Sequence, residues 1–136
     1  MPRKWVLIID DDPAMLIMME AALEHPDLSV TTAKDALSGF IQAQTLKPFL
    51  IISDIHMPGD GNGATILKRL REDPSIPRVP FIFMTGMDPV KARELLPQND
   101  PTIGFIQKPF NMERLRDYVW KLAGIVTSQT PPGASQ

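Results

Sequence analysis

Phe49-Leu50-Ile51-Ile52-Ser53-Asp54, followed by Ile55-His56-Met57-Pro58-Gly59, decides the fold. A short apolar run bounded by Pro48 and by Pro58-Gly59 reads as a strand buried on both faces. It ends on a carboxylate. An unpaired charge at the end of a buried strand is costly, so Asp54 either caps the next turn or serves a chemical purpose. Taken alone, the cap is the simpler account. Three other apolar runs, however, also end on polar residues.

The first is Trp5-Val6-Leu7-Ile8-Ile9, which stops at Asp10-Asp11-Asp12-Pro13. The second, Val79-Pro80-Phe81-Ile82-Phe83-Met84, ends on Thr85-Gly86, and the third, Ile103-Gly104-Phe105-Ile106-Gln107, ends on Lys108-Pro109. Leu28 to Thr32 alternates in polarity, as expected of a strand near an edge. Helical patterns separate the strands. One runs from Ala14 to Glu24, with Met15, Leu16, Met18, Met19 and Leu23 on its apolar side. A second runs from Lys34 to Thr45, with Ala36, Leu37, Phe40 and Ile41 facing inward. A third spans Ala64 to Glu72, and a fourth starts at Asp88-Pro89 and stops before Pro97. The last runs from Met112 to Ala123, with Leu115, Val119, Trp120 and Leu122 apolar.

Five alternations of strand and helix predict an α/β fold, a parallel sheet with helices on both faces. Ligands of such sheets bind beyond the carboxyl ends of the strands, where all the flagged polar residues lie. The 136 residues suit one domain, and the 43% hydrophobic and 22% charged content is ordinary for a globular protein. A net charge of -2 gives no electrostatic reason for direct nucleic-acid binding. With no cysteine there is no disulfide, thiolate metal site or Cys nucleophile. No apolar run approaches a membrane span, so a cytoplasmic location without membrane association is expected. The stretch 125–136, rich in Ser, Thr, Pro and Gly, has the composition of a tail or linker, which leaves 1–124 as the folded domain.

Asp10, Asp11 and Asp54 in one crevice repel, each close pair by roughly 4 kcal/mol at an intermediate dielectric. One ammonium, Lys108, does not neutralise all three. Either a carboxyl stays protonated or a cation binds. Oxygen donors favour Mg²⁺, or Mn²⁺ in its place, over zinc. A carboxylate beside a cation, facing an ammonium and a hydroxyl, is equipped for phosphoryl transfer through an acyl phosphate. Each residue has a plainer account: a capping cluster, a turn threonine, a solvated lysine. Four such residues at four strand ends are improbable as coincidence.

These motifs make the chain resemble the receiver domain of two-component response regulators from Lys4 to Ala123. They are Val6-Leu7-Ile8-Ile9-Asp10-Asp11-Asp12-Pro13, Ser53-Asp54-Ile55-His56-Met57-Pro58, Met84-Thr85-Gly86 and Lys108-Pro109-Phe110. The resemblance implies a doubly wound, flavodoxin-like sheet of strand order 2-1-3-4-5. It implies Asp54 as phosphoacceptor, and Asp10, Asp11, Asp54 and the backbone carbonyl of His56 as Mg²⁺ ligands. It further implies Thr85 and Phe105 as switch residues, Lys108 as the phosphate-binding lysine, and a cis bond before Pro109. The implied donor is a sensor histidine kinase or a phosphotransfer protein. The implied readout passes through the fourth helix, fifth strand and fifth helix to an effector or attached output domain, with phosphorylation-dependent homodimerisation as a family habit. The implied protein is a phosphoacceptor rather than an enzyme. Gly59-Asp60-Gly61-Asn62-Gly63 is one residue longer than the family's usual turn, and Asn99-Asp100-Pro101 departs from its usual pattern.

Two other classes compete. Haloacid-dehalogenase-like phosphatases also use a strand-end Asp, Mg²⁺, a Thr or Ser and a Lys, and Asp10-Asp11-Asp12 has their Asp-x-Asp spacing. Against that reading, Ala14 stands where a Thr or Val is expected, and no acidic metal-binding motif follows Lys108. A receiver acting only as an interaction module is disfavoured because every residue needed for phosphorylation is present.

Overall fold

The computed structural model describes residues 4–55, 63–76, 78–96 and 100–125. The elements, in order, are β1 (Lys4–Ile9), α1 (Pro13–Ala22), β2 (Leu28–Ala33), α2 (Ala36–Leu46), β3 (Leu50–Asp54), α3 (Gly63–Arg71), β4 (Phe81–Thr85), α4 (Pro89–Glu94), β5 (Ile103–Gln107) and α5 (Met112–Leu122). Every paired strand is parallel, and the order is β2-β1-β3-β4-β5. This is the parallel α/β sheet that the alternation predicts, in the doubly wound, flavodoxin-like order that the resemblance implies. His56, the turn at 59–62, Pro97 and the stretch 126–136 lie outside the described residues.

The strand period of two sorts the core into two layers. Leu7, Ile9, Ile51, Phe81 and Phe83 face α2, α3 and α4, where they meet Ala43, Ile66, Leu67, Leu70 and Ala92. Val6, Ile8, Leu50, Ile52, Ile82 and Met84 face α1 and α5, where they meet Met19, Leu23, Leu115 and Val119. The three central strands are buried on both sides, which is why they read as unbroken apolar runs. β2 and β5 are the edges, and their residues are mostly half-buried.

The helix starts follow local chemistry. Asp12, Asp35, Asp88 and Asn111 each cap a helix, their side chains accepting from Ala14 N, Ser38 N, Val90 N and Glu113 N. Because Asp35 is the cap, α2 begins at Ala36, two residues after the expected start. Pro80 carries no N–H, and β4 begins one residue later.

Some faces differ from expectation. Leu37 and Ile41 on α2 are 66% and 52% exposed, while Gly39 and Ala43 are the buried positions. Met18 on α1 and Leu122 on α5 also face outward. On α2 the reason is proximity. A Cβ on Gly39 would lie 2.5 Å from Ile9 Cδ1, so only small residues fit under this helix, and its larger apolar side chains are displaced to the flank.

Candidate functional site

The carboxyl ends of β1, β3, β4 and β5 lie together on one edge of the sheet, which the parallel register enforces. Asp10 and Asp54 continue the strand rows that face α1 and α5. Both are buried, and Thr85 is too. Asp11 is exposed. Carboxylate oxygens of Asp10, Asp11 and Asp54 all lie within 4.8 Å of one another. The three acids singled out from sequence therefore form one cluster. The bond between Lys108 and Pro109 is cis.

Lys108 reaches across from β5. Its Nζ donates to Asp54 Oδ2 at 2.8 Å and to Asp10 Oδ2 at 3.3 Å. Asp10 Oδ1 accepts from the Asp12 N–H at 2.9 Å, so the buried carboxylate also organises the turn into α1. Burial pushes the Asp10 carboxyl above its ordinary value, and the nearby Asp54 charge adds to this; the Asp12 N–H and Lys108 only partly offset it. Burial alone would lower the Lys108 ammonium. The hydrogen bond and charge of Asp54, together with Asp10, more than reverse this, and its pKa is raised. The site is thus a partly desolvated crevice with three acids and one firmly protonated lysine.

Three acid oxygens so close together, one of them on a carboxylate that burial disfavours in its charged form, make a donor set that fits a hard divalent cation. Among the described residues the cluster consists of carboxylates alone, a donor set suited to a hard rather than a soft metal.

Thr85 and Phe105 stand on the other face of the sheet edge. The Thr85 carbonyl accepts from Lys108 N at 2.7 Å, which ties β4 to the lysine's backbone. Its hydroxyl accepts from the Met87 N–H at 2.9 Å, in the loop leading to α4. Phe105, half-buried, pairs in register with Phe83, and their ring centroids lie 6.3 Å apart. The Arg93 guanidinium covers the Phe105 ring at 4.8 Å. Phe105 therefore flanks the crevice rather than lining it.

Sequence reasoning missed two residues here. Gln107 is the register partner of Thr85, and its Nε2 donates to the Met87 carbonyl at 3.3 Å. Its position directly before Lys108 was the available signal. Arg93 gave no such signal, because its partner is twelve residues away across a loop.

A family model described as the response regulator receiver domain matches residues 6–120. The probable transcriptional regulatory protein TcrX of Mycobacterium tuberculosis is 30% identical over 112 residues, covering 81% of this chain and 45% of that protein. The DNA-binding dual master transcriptional regulator RpaA of Synechocystis is 31% identical over 115 residues, covering 85% of this chain and 46% of that protein. The chain thus spans somewhat under half the length of these curated relatives. Among solved structures, the chemotaxis protein CheY4 of Vibrio cholerae superposes with a TM-score of 0.74 at 27% identity, covering 88% of this chain and 98% of that one. With a family model matching residues 6–120 and curated relatives 30–31% identical over most of its length, this chain belongs to the response regulator receiver domain family.

Proposed function

We propose that Asp54 is the phosphoacceptor of this receiver. The observation that carries the reading is its placement: a buried strand-end carboxylate, 2.8 Å from Lys108 Nζ and clustered with Asp10 and Asp11. A carboxylate oxygen of Asp54 attacks the phosphorus of a phosphohistidine. The new O–P bond forms as the P–N bond breaks, and the imidazole leaves with the bonding pair. Lys108 exchanges its contact with the Asp54 oxygen for one with a phosphoryl oxygen, and keeps its charge throughout. Asp10, Asp11, Asp54 and the carbonyl of His56 would hold Mg²⁺, or Mn²⁺ in its place, whose charge offsets that of the phosphoryl oxygens. Thr85 gives up the Met87 N–H and donates its hydroxyl to the phosphoryl group, and Phe105 moves with it.

The donor in this reading is a sensor histidine kinase or a phosphotransfer protein, and the setting is the cytoplasm. Among the described residues, no helix is long and apolar enough to cross a membrane. The output surface is α4, β5 and α5. A groove of about 600 Å³ on this side, lined by Phe105, Gln107, Phe110, Arg114 and Tyr118, supports that choice. It serves a downstream effector, a covalently attached output domain or a phosphorylated second copy, with no direct nucleic-acid contact by residues 1–124. The stretch 125–136 acts as a tail or as the start of a linker.

Intact mass with and without acetyl phosphate and Mg²⁺ tests the reading. A gain of one phosphoryl mass is expected, dependent on Mg²⁺ and lost in Asp54→Asn. A gain that survives in Asp54→Asn would move the acceptor to Asp10 and support the phosphatase class instead.

A further inference from the structure

Two contacts hold the switch pair from outside the crevice, and both come from residues with no part in phosphoryl chemistry. The Arg93 guanidinium lies over the Phe105 ring, 4.8 Å from its centroid. Gln107 Nε2 grips the carbonyl of Met87 at 3.3 Å, and the N–H of that same Met87 occupies the Thr85 hydroxyl at 2.9 Å. The register explains why these groups meet. Thr85 and Gln107 are cross-strand partners, Phe83 and Phe105 are the pair before them, and all four continue one row of side chains. The Met87 N–H holds the Thr85 oxygen in its present rotamer, and rotation of the hydroxyl toward a phosphoryl oxygen on Asp54 gives up that bond. A ring under Arg93 must leave the guanidinium to turn inward.

We propose that Arg93 and Gln107 are positioning residues that hold Phe105 and the Met87 loop in the unphosphorylated arrangement, and so set how readily the receiver switches. This rests on Asp54 being the phosphoacceptor. The physical basis is population shift. A contact made in only one of two states weights that state, and a ligand selecting the other state binds more weakly by the same factor. A cation over a half-buried ring, and a single neutral hydrogen bond, each bias the equilibrium by about three-fold.

The test is titration of the full chain with beryllofluoride and Mg²⁺, followed by NMR at the amides of Thr85, Phe105 and Lys108. Arg93→Ala and Gln107→Leu are expected to tighten the apparent affinity about three-fold each. Their ligand-free spectra should move part of the way toward the beryllofluoride positions. Arg93→Lys, which keeps a cation for the ring, should stay near wild type. A merely structural role would not tighten binding. Unchanged or weaker affinity in both variants, with a normal wild-type response, overturns the inference alone. A wild type that does not respond, or responds equally as Asp54→Asn, overturns the reading of Asp54 and this inference with it.

Discussion

Gly39 and Gly104 look alike in sequence, each a glycine inside a regular element, and the structure separates them. A Cβ on Gly39 would meet Ile9 Cδ1 at 2.5 Å and Cγ1 at 3.0 Å, and Ile9 is fully buried with no room to retreat. Gly39→Ala gains up to about 1 kcal/mol of helix propensity but overpacks the core, at a cost of roughly 1–3 kcal/mol. Net destabilisation of about 1–2 kcal/mol is expected in urea unfolding, and Ile9→Val in the same chain should recover part of it. A Cβ on Gly104 would meet the Tyr118 hydroxyl, the far end of a partly exposed side chain that can swing away. Gly104→Ala should therefore cost less than Gly39→Ala, and equal costs would contradict this account. A third residue, Asp100, sits just before the amino-terminal end of β5, at the end of the strands away from the crevice. Its carboxylate pairs with Arg78 at 2.9 Å and lies 3.8 Å from Arg71, and it accepts from the Thr102 N–H and hydroxyl. Burial would raise its pKa, but the Thr102 hydrogen bonds and the two guanidinium charges outweigh it and hold the carboxyl below its ordinary value. An acid with a lowered folded pKa contributes stability above its unfolded value of 3.8, and that stability is lost as pH falls through the lower folded one. Below about pH 4, wild type should lose stability more steeply than Asp100→Asn. Parallel slopes would show that the cluster is not coupled to folding.

At the scale of elements, α4 is the exposed part of the design. It has six residues, one full turn and a half, and Asp88 caps its start by accepting from the Val90 N–H at 2.8 Å. Losing such a cap costs about 1 kcal/mol. For a helix this short, whose packing includes Ala92 but leaves Val90 and Leu95 exposed, that is a large share of its stability. Asp88→Ala should speed hydrogen exchange at the Ala92 and Arg93 amides before any change in β3 or β4. Uniform acceleration across the sheet would instead mean that α4 opens only with the whole domain. The element order and strand ends could be read from sequence because a parallel sheet buries its central strands on both sides. That gives unbroken apolar runs with visible stops at Asp10, Asp54, Thr85 and Lys108. Helix faces were harder. In α2 apolar residues occupy nearly every side, so periodicity does not choose between them, and Leu37 and Ile41, expected inward, lie outward. The informative residues were the small ones, Gly39 and Ala43, four apart, which mark close approach to β1. The contacts of Arg71 with Thr102, and of Arg93 with Phe105, join residues far apart in the chain and left no local pattern to find.

Across the whole molecule, two well-packed layers support a crevice that works against them. Asp10 is buried among the acids, its ionised form disfavoured by burial and by Asp54, and Lys108 only partly compensates. Burial of the Asp10 carboxylate therefore costs stability at the candidate site. Asp10→Asn keeps an oxygen to accept the Asp12 N–H while removing the buried charge, so in the absence of divalent cation its thermal midpoint should rise above wild type. Adding Mg²⁺ should reverse the order. A cation that binds only the folded wild type at about a hundred times its Kd stabilises it by roughly 2.7 kcal/mol. Asp10→Asn, with one anionic ligand fewer, should respond much less. Thermal melts of both proteins with EDTA and with Mg²⁺ therefore form a crossing pattern. Curves that shift in parallel would mean that Asp10 does not hold the cation. A midpoint for Asp10→Asn in EDTA that lies below wild type would mean that the pairing with Lys108, rather than the desolvation of the carboxylate, dominates the energetics of the crevice.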